Sequence, residues 1–108
     1  MAEVIGVVDI VVAAGREQAL KEAFEACAQR THAEQGCLTY ALHVDNANPL
    51  HFVLIERWRS QEDLDGHMTQ PYVADLFAFA GVEGNLTAAP SLAFVSALGL
   101  GDPAKASL

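Results

Sequence analysis

The stretch HFVLIERWRSQEDLDGHMTQP (His51–Pro71) changes its period halfway, and that change decides the fold. As far as Trp58 most residues are β-branched, aromatic or aliphatic. Phe52, Leu54, Glu56 and Trp58 fall on one side of an extended chain, and Val53, Ile55 and Arg57 on the other, which reads as a strand. At Ser60 the pattern becomes that of a helix start. The serine hydroxyl can accept from a first-turn amide, Asp63 follows three residues later, and Glu62 and Asp63 suit the positive end of a helix dipole. Leu64, His67 and Met68 share one helical face. Pro71 suits the first turn of a second short helix, where a missing N–H costs nothing. Val73, Leu76, Phe77 and Ala80 continue it at helical spacing, and GVEGN (Gly81–Asn85) ends it.

Upstream, CLTYALHVD (Cys37–Asp45) alternates. Leu38, Tyr40, Leu42 and Val44 lie on one face, with Thr39, Ala41, His43 and Asp45 on the other. NANP (Asn46–Pro49) is turn chemistry, so this strand and His51–Trp58 form an antiparallel hairpin. The preceding stretch, Gly15–Gln35, repeats apolar residues at helical spacing (Leu20, Ala23, Phe24, Cys27, Thr31), with Gly36 as its stop. VIGVVDIVVAA (Val4–Ala14) is a strand apolar on both faces apart from Asp9, which reads as either a pocket wall or an edge charge. LTAAPSLAFVSAL (Leu86–Leu98) is a last strand in which Pro90 marks an edge or a bulge. The expected order is β-α-β-β-α(α)-β. This is an α+β, ferredoxin-like arrangement with helices on one face of a four-stranded antiparallel sheet. Residues 1–98 form that domain and 99–108 a tail. Several strands lack a polar face, so the second sheet face is expected to pack on that of an identical subunit.

Composition narrows the function. With 108 residues there is room for one core, and 52% apolar with 19% charged residues suits a compact domain. A net charge of −8, from 14 acidic and 6 basic residues, repels phosphate backbones and argues against nucleic acid. No apolar run approaches a membrane span of roughly 20 residues. MAEVIG lacks the pattern of a secretory signal, and Cys27 and Cys37 make no disulfide framework, so a cytoplasmic setting with reduced thiols is expected. The histidines and cysteines show no metal-ligand spacing, and no phosphate loop or nucleophile elbow is present.

EQGCLTYALHVD (Glu34–Asp45) and FVLIERWRSQEDLDGHMTQPY (Phe52–Tyr72) together resemble the antibiotic biosynthesis monooxygenase family. Its E-x-G-C with a following Tyr falls on Glu34, Gly36, Cys37 and Tyr40. Its E-x-W-x-S, later Leu, His and Pro fall on Glu56, Trp58, Ser60, Leu64, His67 and Pro71. The resemblance implies a dimeric α+β barrel, formed when two sheets pack face to face, with a pocket in each subunit between sheet and helices. It also implies a cofactor-independent monooxygenase acting on a small to medium aromatic phenol or quinol, with molecular oxygen as co-substrate. Alternatives are an isomerase or other proton-transfer enzyme on a small metabolite, and a non-catalytic dimeric domain binding a small ligand. Haem degradation is disfavoured, because Tyr72–Val82 lacks the axial histidine such relatives carry.

His67 and Glu56 are the expected catalytic groups, with Trp58, Tyr40, Tyr72 and Phe52 contacting substrate. Each has a plainer reading. His67 can be a packed histidine bonded to a backbone carbonyl, Glu56 can pair with an arginine such as Arg30, and Trp58 can be core. Tyr72 stands where relatives often carry a second histidine.

Overall fold

The computed structural model describes residues 2–108. Its elements are β1 (Val4–Val11), α1 (Glu17–Thr31), β2 (Cys37–Asp45), β3 (Asn48–Trp58), α2 (Gln61–Met68), α3 (Pro71–Gly81) and β4 (Ser91–Val95). The strands form one antiparallel sheet in the order β2-β3-β1-β4. This is the expected α+β, ferredoxin-like arrangement. The strand-to-helix switch falls where the sequence puts it. Ser60 caps α2, its Oγ accepting from the Asp63 amide at 3.2 Å and donating to the Asp63 carboxylate at 2.8 Å. No helix is long and apolar enough to cross a membrane among the described residues.

Period two sends alternate side chains to opposite faces, and the register turns this into rows across the sheet. On the helix-covered face one row is Leu42–Leu54–Val8–Leu92 and the next is Tyr40–Glu56–Gly6–Phe94. Leu20, Phe24, Cys27 and Ala28 of α1, Leu64 of α2 and Val73 of α3 pack over these rows and complete the core. The opposite face carries Val7, Ala41, Val53, Ile55, Ala93 and Val95 with no helix over it. At its end, His51 bridges Asp9 (Nε2 to Oδ1, 2.7 Å) and Asp45 (Nδ1 to Oδ2, 2.9 Å). Asp9 is therefore no pocket wall.

Several boundaries and two single residues differ from expectation. Helix α1 stops at Thr31 rather than Gln35: the His32 amide still bonds Ala28, but the next two bond back only three residues (Ala33 to Arg30, Glu34 to Thr31) and turn the chain out of the helix. Gly36 is not its cap. It lies where a side chain would overlap Asp63 at the start of α2. The hairpin turn is only Asn46–Ala47. Pro49 lies inside β3 ahead of the stretch that pairs with β1, which starts at His51, so its missing N–H leaves that ladder intact. Leu38 falls at a bulge between Cys37 and Thr39 and is exposed, so it does not share the buried face of Tyr40. Strand β1 ends at Val11, and β4 is confined to Ser91–Val95. Leu86 only bridges Val12, and the intervening chain to Pro90 has no ladder donor at the proline.

Candidate active site

Between α2, α3 and the sheet lies a cavity. It has about 600 Å3 of space between its atoms, counting the mouth. Its floor is the two rows described above, with Val8, Leu54 and Leu92 in one and Glu56 and Phe94 in the other. Met68, Phe77 and Phe94 at the mouth are 41–45% exposed, whereas Leu20, Leu54, Glu56 and His67 are buried. Tyr40, Glu56 and His67 are the polar side chains on the wall.

Glu56 reaches this wall because its neighbour across the ladder is Gly6. A Cβ at Gly6 would stand 2.9 Å from Glu56 Cγ, 3.1 Å from Cδ and 3.2 Å from a Phe94 ring carbon. The glycine is needed here for space, since its φ is not positive. The carboxylate accepts from the Trp58 indole at 2.8 Å and is 5% exposed. Burial raises its pKa; the indole hydrogen bond and the nearby His67 partly oppose that rise. The alternative of a pair with Arg30 is not found, because Arg30 lies over the Tyr72 ring at 5.3 Å.

His67 comes from the inner face of α2 and is 2% exposed. Its ring lies 4.5 Å from that of Trp58 and 5.4 Å, edge-on, from that of Tyr40. Nδ1 bonds Glu34 Oε2 at 2.7 Å, not a backbone carbonyl. The Tyr72 hydroxyl donates to the same oxygen at 2.8 Å. Burial, then the bond to Glu34, pushes the Tyr72 phenol up to about 12. Tyr40 stacks on Phe24 at 5.2 Å, and its hydroxyl meets Cys27 Sγ at 3.6 Å. Desolvation, reinforced by Cys27, raises its phenol far above the ordinary range. Both thiols are free, and burial together with Glu34 and Glu56 pushes Cys37 up to about 11, which makes it a poor nucleophile.

Of the six residues singled out from the sequence, three line the cavity: Tyr40, Glu56 and His67. The other three do not. Trp58, 0% exposed, does not line the cavity and acts on it through its bond to Glu56 and its packing on the His67 ring. Tyr72 is turned to Glu34, and Phe52 lies in the core. Two further residues shape the site, Glu34 and Gly6. Glu34 belongs to the E-x-G-C pattern, yet nothing in its spacing says that it meets a histidine 33 residues on. Gly6 has no signal beyond being a glycine inside a strand.

The fold recurs among known proteins. Residues 3–78 match the family model described as antibiotic biosynthesis monooxygenase. A solved structure from Pseudomonas aeruginosa is 28% identical, with a TM-score of 0.77, covering 91% of this chain and 96% of that one. One from Mycobacterium tuberculosis is 27% identical, with a TM-score of 0.82, covering 90% and 96%. A structure described as an antibiotic biosynthesis monooxygenase shares the fold at 21% identity, with a TM-score of 0.78, covering 88% and 98%. No curated protein matches. With the family model spanning most of the chain, from β1 into α3, the protein belongs to the antibiotic biosynthesis monooxygenase family.

Proposed function

We propose that the protein is a cofactor-independent monooxygenase whose substrate is a neutral, roughly planar phenol or quinol of small to medium size. The observation that carries this reading is the cavity wall, which is apolar except for Tyr40, Glu56 and His67 at its closed part. No Lys or Arg lines it among the described residues, which disfavours phosphorylated or carboxylated metabolites. An aromatic ring gains from the apolar wall, and its hydroxyl has polar partners only at depth.

In this reading His67 accepts the phenolic proton, and Glu56, whose protonated form burial favours, donates a hydrogen bond to the resulting oxyanion. The magnitudes require both. Between the free groups in water, proton transfer from a phenol to an imidazole is uphill by roughly 5 kcal/mol. A hydrogen bond to an anion returns about 1.5–3 kcal/mol, more in a dry site. The phenolate then gives an electron directly to O2, and recombination forms a ring C–O bond. Loss of water leaves a quinone from a phenol, or a hydroxyquinone from a quinol. One oxygen atom enters the ring, the other leaves as water, and the substrate supplies all the electrons. Water exclusion protects the anion.

Two copies joined through the uncovered sheet face would bury Val7, Val53 and Ile55 and complete the barrel the family resemblance implies. Light scattering reads the mass directly. Oxygen-electrode traces with a panel of hydroquinones and monophenols test the activity. Substrate-dependent uptake that falls in His67→Ala is the expected result, and no uptake above the uncatalysed rate across the panel would overturn the reading.

A further inference from the structure

We infer that Glu34 is a positioning residue for His67, fixing the ring so that Nδ1 carries the proton and Nε2 faces the cavity as a bare acceptor. The inference rests on the reading of His67 as the proton acceptor and adds which nitrogen acts and what holds it there.

Three separate elements meet at one oxygen. Glu34 stands in the turn between α1 and β2, His67 on α2 and Tyr72 on α3, and Glu34 Oε2 receives His67 Nδ1 at 2.7 Å and the Tyr72 hydroxyl at 2.8 Å. A carboxylate oxygen has lone pairs and no proton to give, so the ring nitrogen beside it must be the donor. Neutral imidazole carries a single N–H, and placing it on Nδ1 leaves Nε2 unprotonated. Among the described residues Glu34 is the one hydrogen-bond partner of the ring, and the ring forms part of the cavity wall.

The carboxylate is itself anchored. Its amide bonds Thr31 O at 3.0 Å and its carbonyl accepts from Cys37 N at 3.1 Å, so neither backbone group is free to let the turn swing. The Tyr72 bond fixes the second direction. Trp58 at 4.5 Å and Tyr40 at 5.4 Å hold the imidazole from its sides but cannot choose its tautomer. That choice belongs to Glu34. The consequence is also electrostatic: if His67 takes a proton, the imidazolium forms against a carboxylate already in place, with no reorganisation.

Nitrogen-15 NMR of the His67 ring tests the inference without any substrate. At about pH 8, above the ordinary histidine range, the wild-type ring is expected to show a protonated Nδ1 and an unprotonated Nε2. In Glu34→Ala the preference is expected to collapse to a mixture or to the opposite tautomer. In Glu34→Gln, whose amide oxygen still accepts, it is expected to persist. With a hydroquinone that is turned over, Glu34→Ala should lose at least about tenfold in kcat with little change in KM, as when an orienting carboxylate is removed from a catalytic histidine. Tyr72→Phe, which leaves the Glu34–His67 bond intact, should lose much less. A wild-type ring protonated on Nε2 would overturn the inference, as would an unchanged tautomer or unchanged kcat in Glu34→Ala. The wild-type spectrum decides the matter even if Glu34→Ala does not fold. If no hydroquinone is oxidised, the oxygenase reading fails while the tautomer still answers separately.

Discussion

Gly6→Ala adds one methyl group at the point where the sheet makes room for Glu56. The new carbon would meet Glu56 Cγ at 2.9 Å, Cδ at 3.1 Å and Phe94 Cε1 at 3.2 Å, against a comfortable carbon–carbon separation of roughly 3.5–4.0 Å. Phe94 is 45% exposed and can turn outward. Glu56 cannot, because Tyr40 is its neighbour across the other ladder and the Trp58 indole holds its carboxylate at 2.8 Å. Overpacking of this kind costs about 1–3 kcal/mol. Removing glycine's freedom in the unfolded chain returns about 0.4–1 kcal/mol. The net expectation is a loss of about 1–2 kcal/mol, or roughly 5–10 °C in Tm for a domain of this size. The displaced carboxylate should also release the indole, shifting Trp58 emission, and hydroquinone turnover should fall with it. Calorimetry and fluorescence on the same sample read both effects. A Gly6→Ala protein with wild-type Tm, emission and turnover would refute the claim that Gly6 sets the place of Glu56.

Glu56→Gln should stabilise the protein at neutral pH while impairing turnover. Burial raises the folded pKa of Glu56, so above about pH 4.5 the unfolded chain ionises first and wild-type stability falls as pH rises towards the folded value. The Tm gap between variant and wild type should therefore widen as pH rises from about 4.5 towards the folded pKa, and a gap independent of pH would contradict this. On the open sheet face, hydrogen bonds to Asp45 and Asp9 raise the pKa of His51, and the bond to His51 lowers that of Asp45. The His51 contribution is fully present below about 6.5 and is lost as pH rises through its folded pKa. The Asp45 contribution is present above about 3.8 and is lost as pH falls through its lowered pKa. His51→Gln should flatten the Tm–pH curve across that window, and an unaltered curve would show the clasp to be inert. Ser60→Ala removes the α2 cap and should cost about 1 kcal/mol, read as a lower urea midpoint at unchanged slope.

The fold was legible wherever local chemistry and hydrophobic period agreed. Ser60 and Pro71 announced their helices through capping and backbone geometry, and β2 was bounded correctly at Cys37–Asp45 by alternation. Ends set by tertiary contact were not legible. Helix α1 stops at Thr31 because its next amides turn back, and Gly36 is a glycine because Asp63 arrives from a distant part of the chain. Apolar residues flanking β4 read as strand, yet pairing with β1 ends at Val95. The site divides along the same line. Glu56 and His67 were identifiable as polar groups on apolar faces, a local signal. That Trp58 and Phe52 pack into the core outside the cavity wall, that Tyr72 turns to Glu34, and that Gly6 opens space for Glu56 depend on register and helix docking, which no single stretch encodes.

The central claim is that this cavity directs one atom of O2 onto a phenolic ring without a cofactor. The most direct measurement is mass spectrometry of the product formed by the wild-type protein from a hydroquinone under isotope-labelled O2. The account predicts a hydroxylated quinone carrying one labelled oxygen atom, with the second label in water. An unlabelled quinone accompanied by labelled hydrogen peroxide, or no product above the protein-free control, would contradict it.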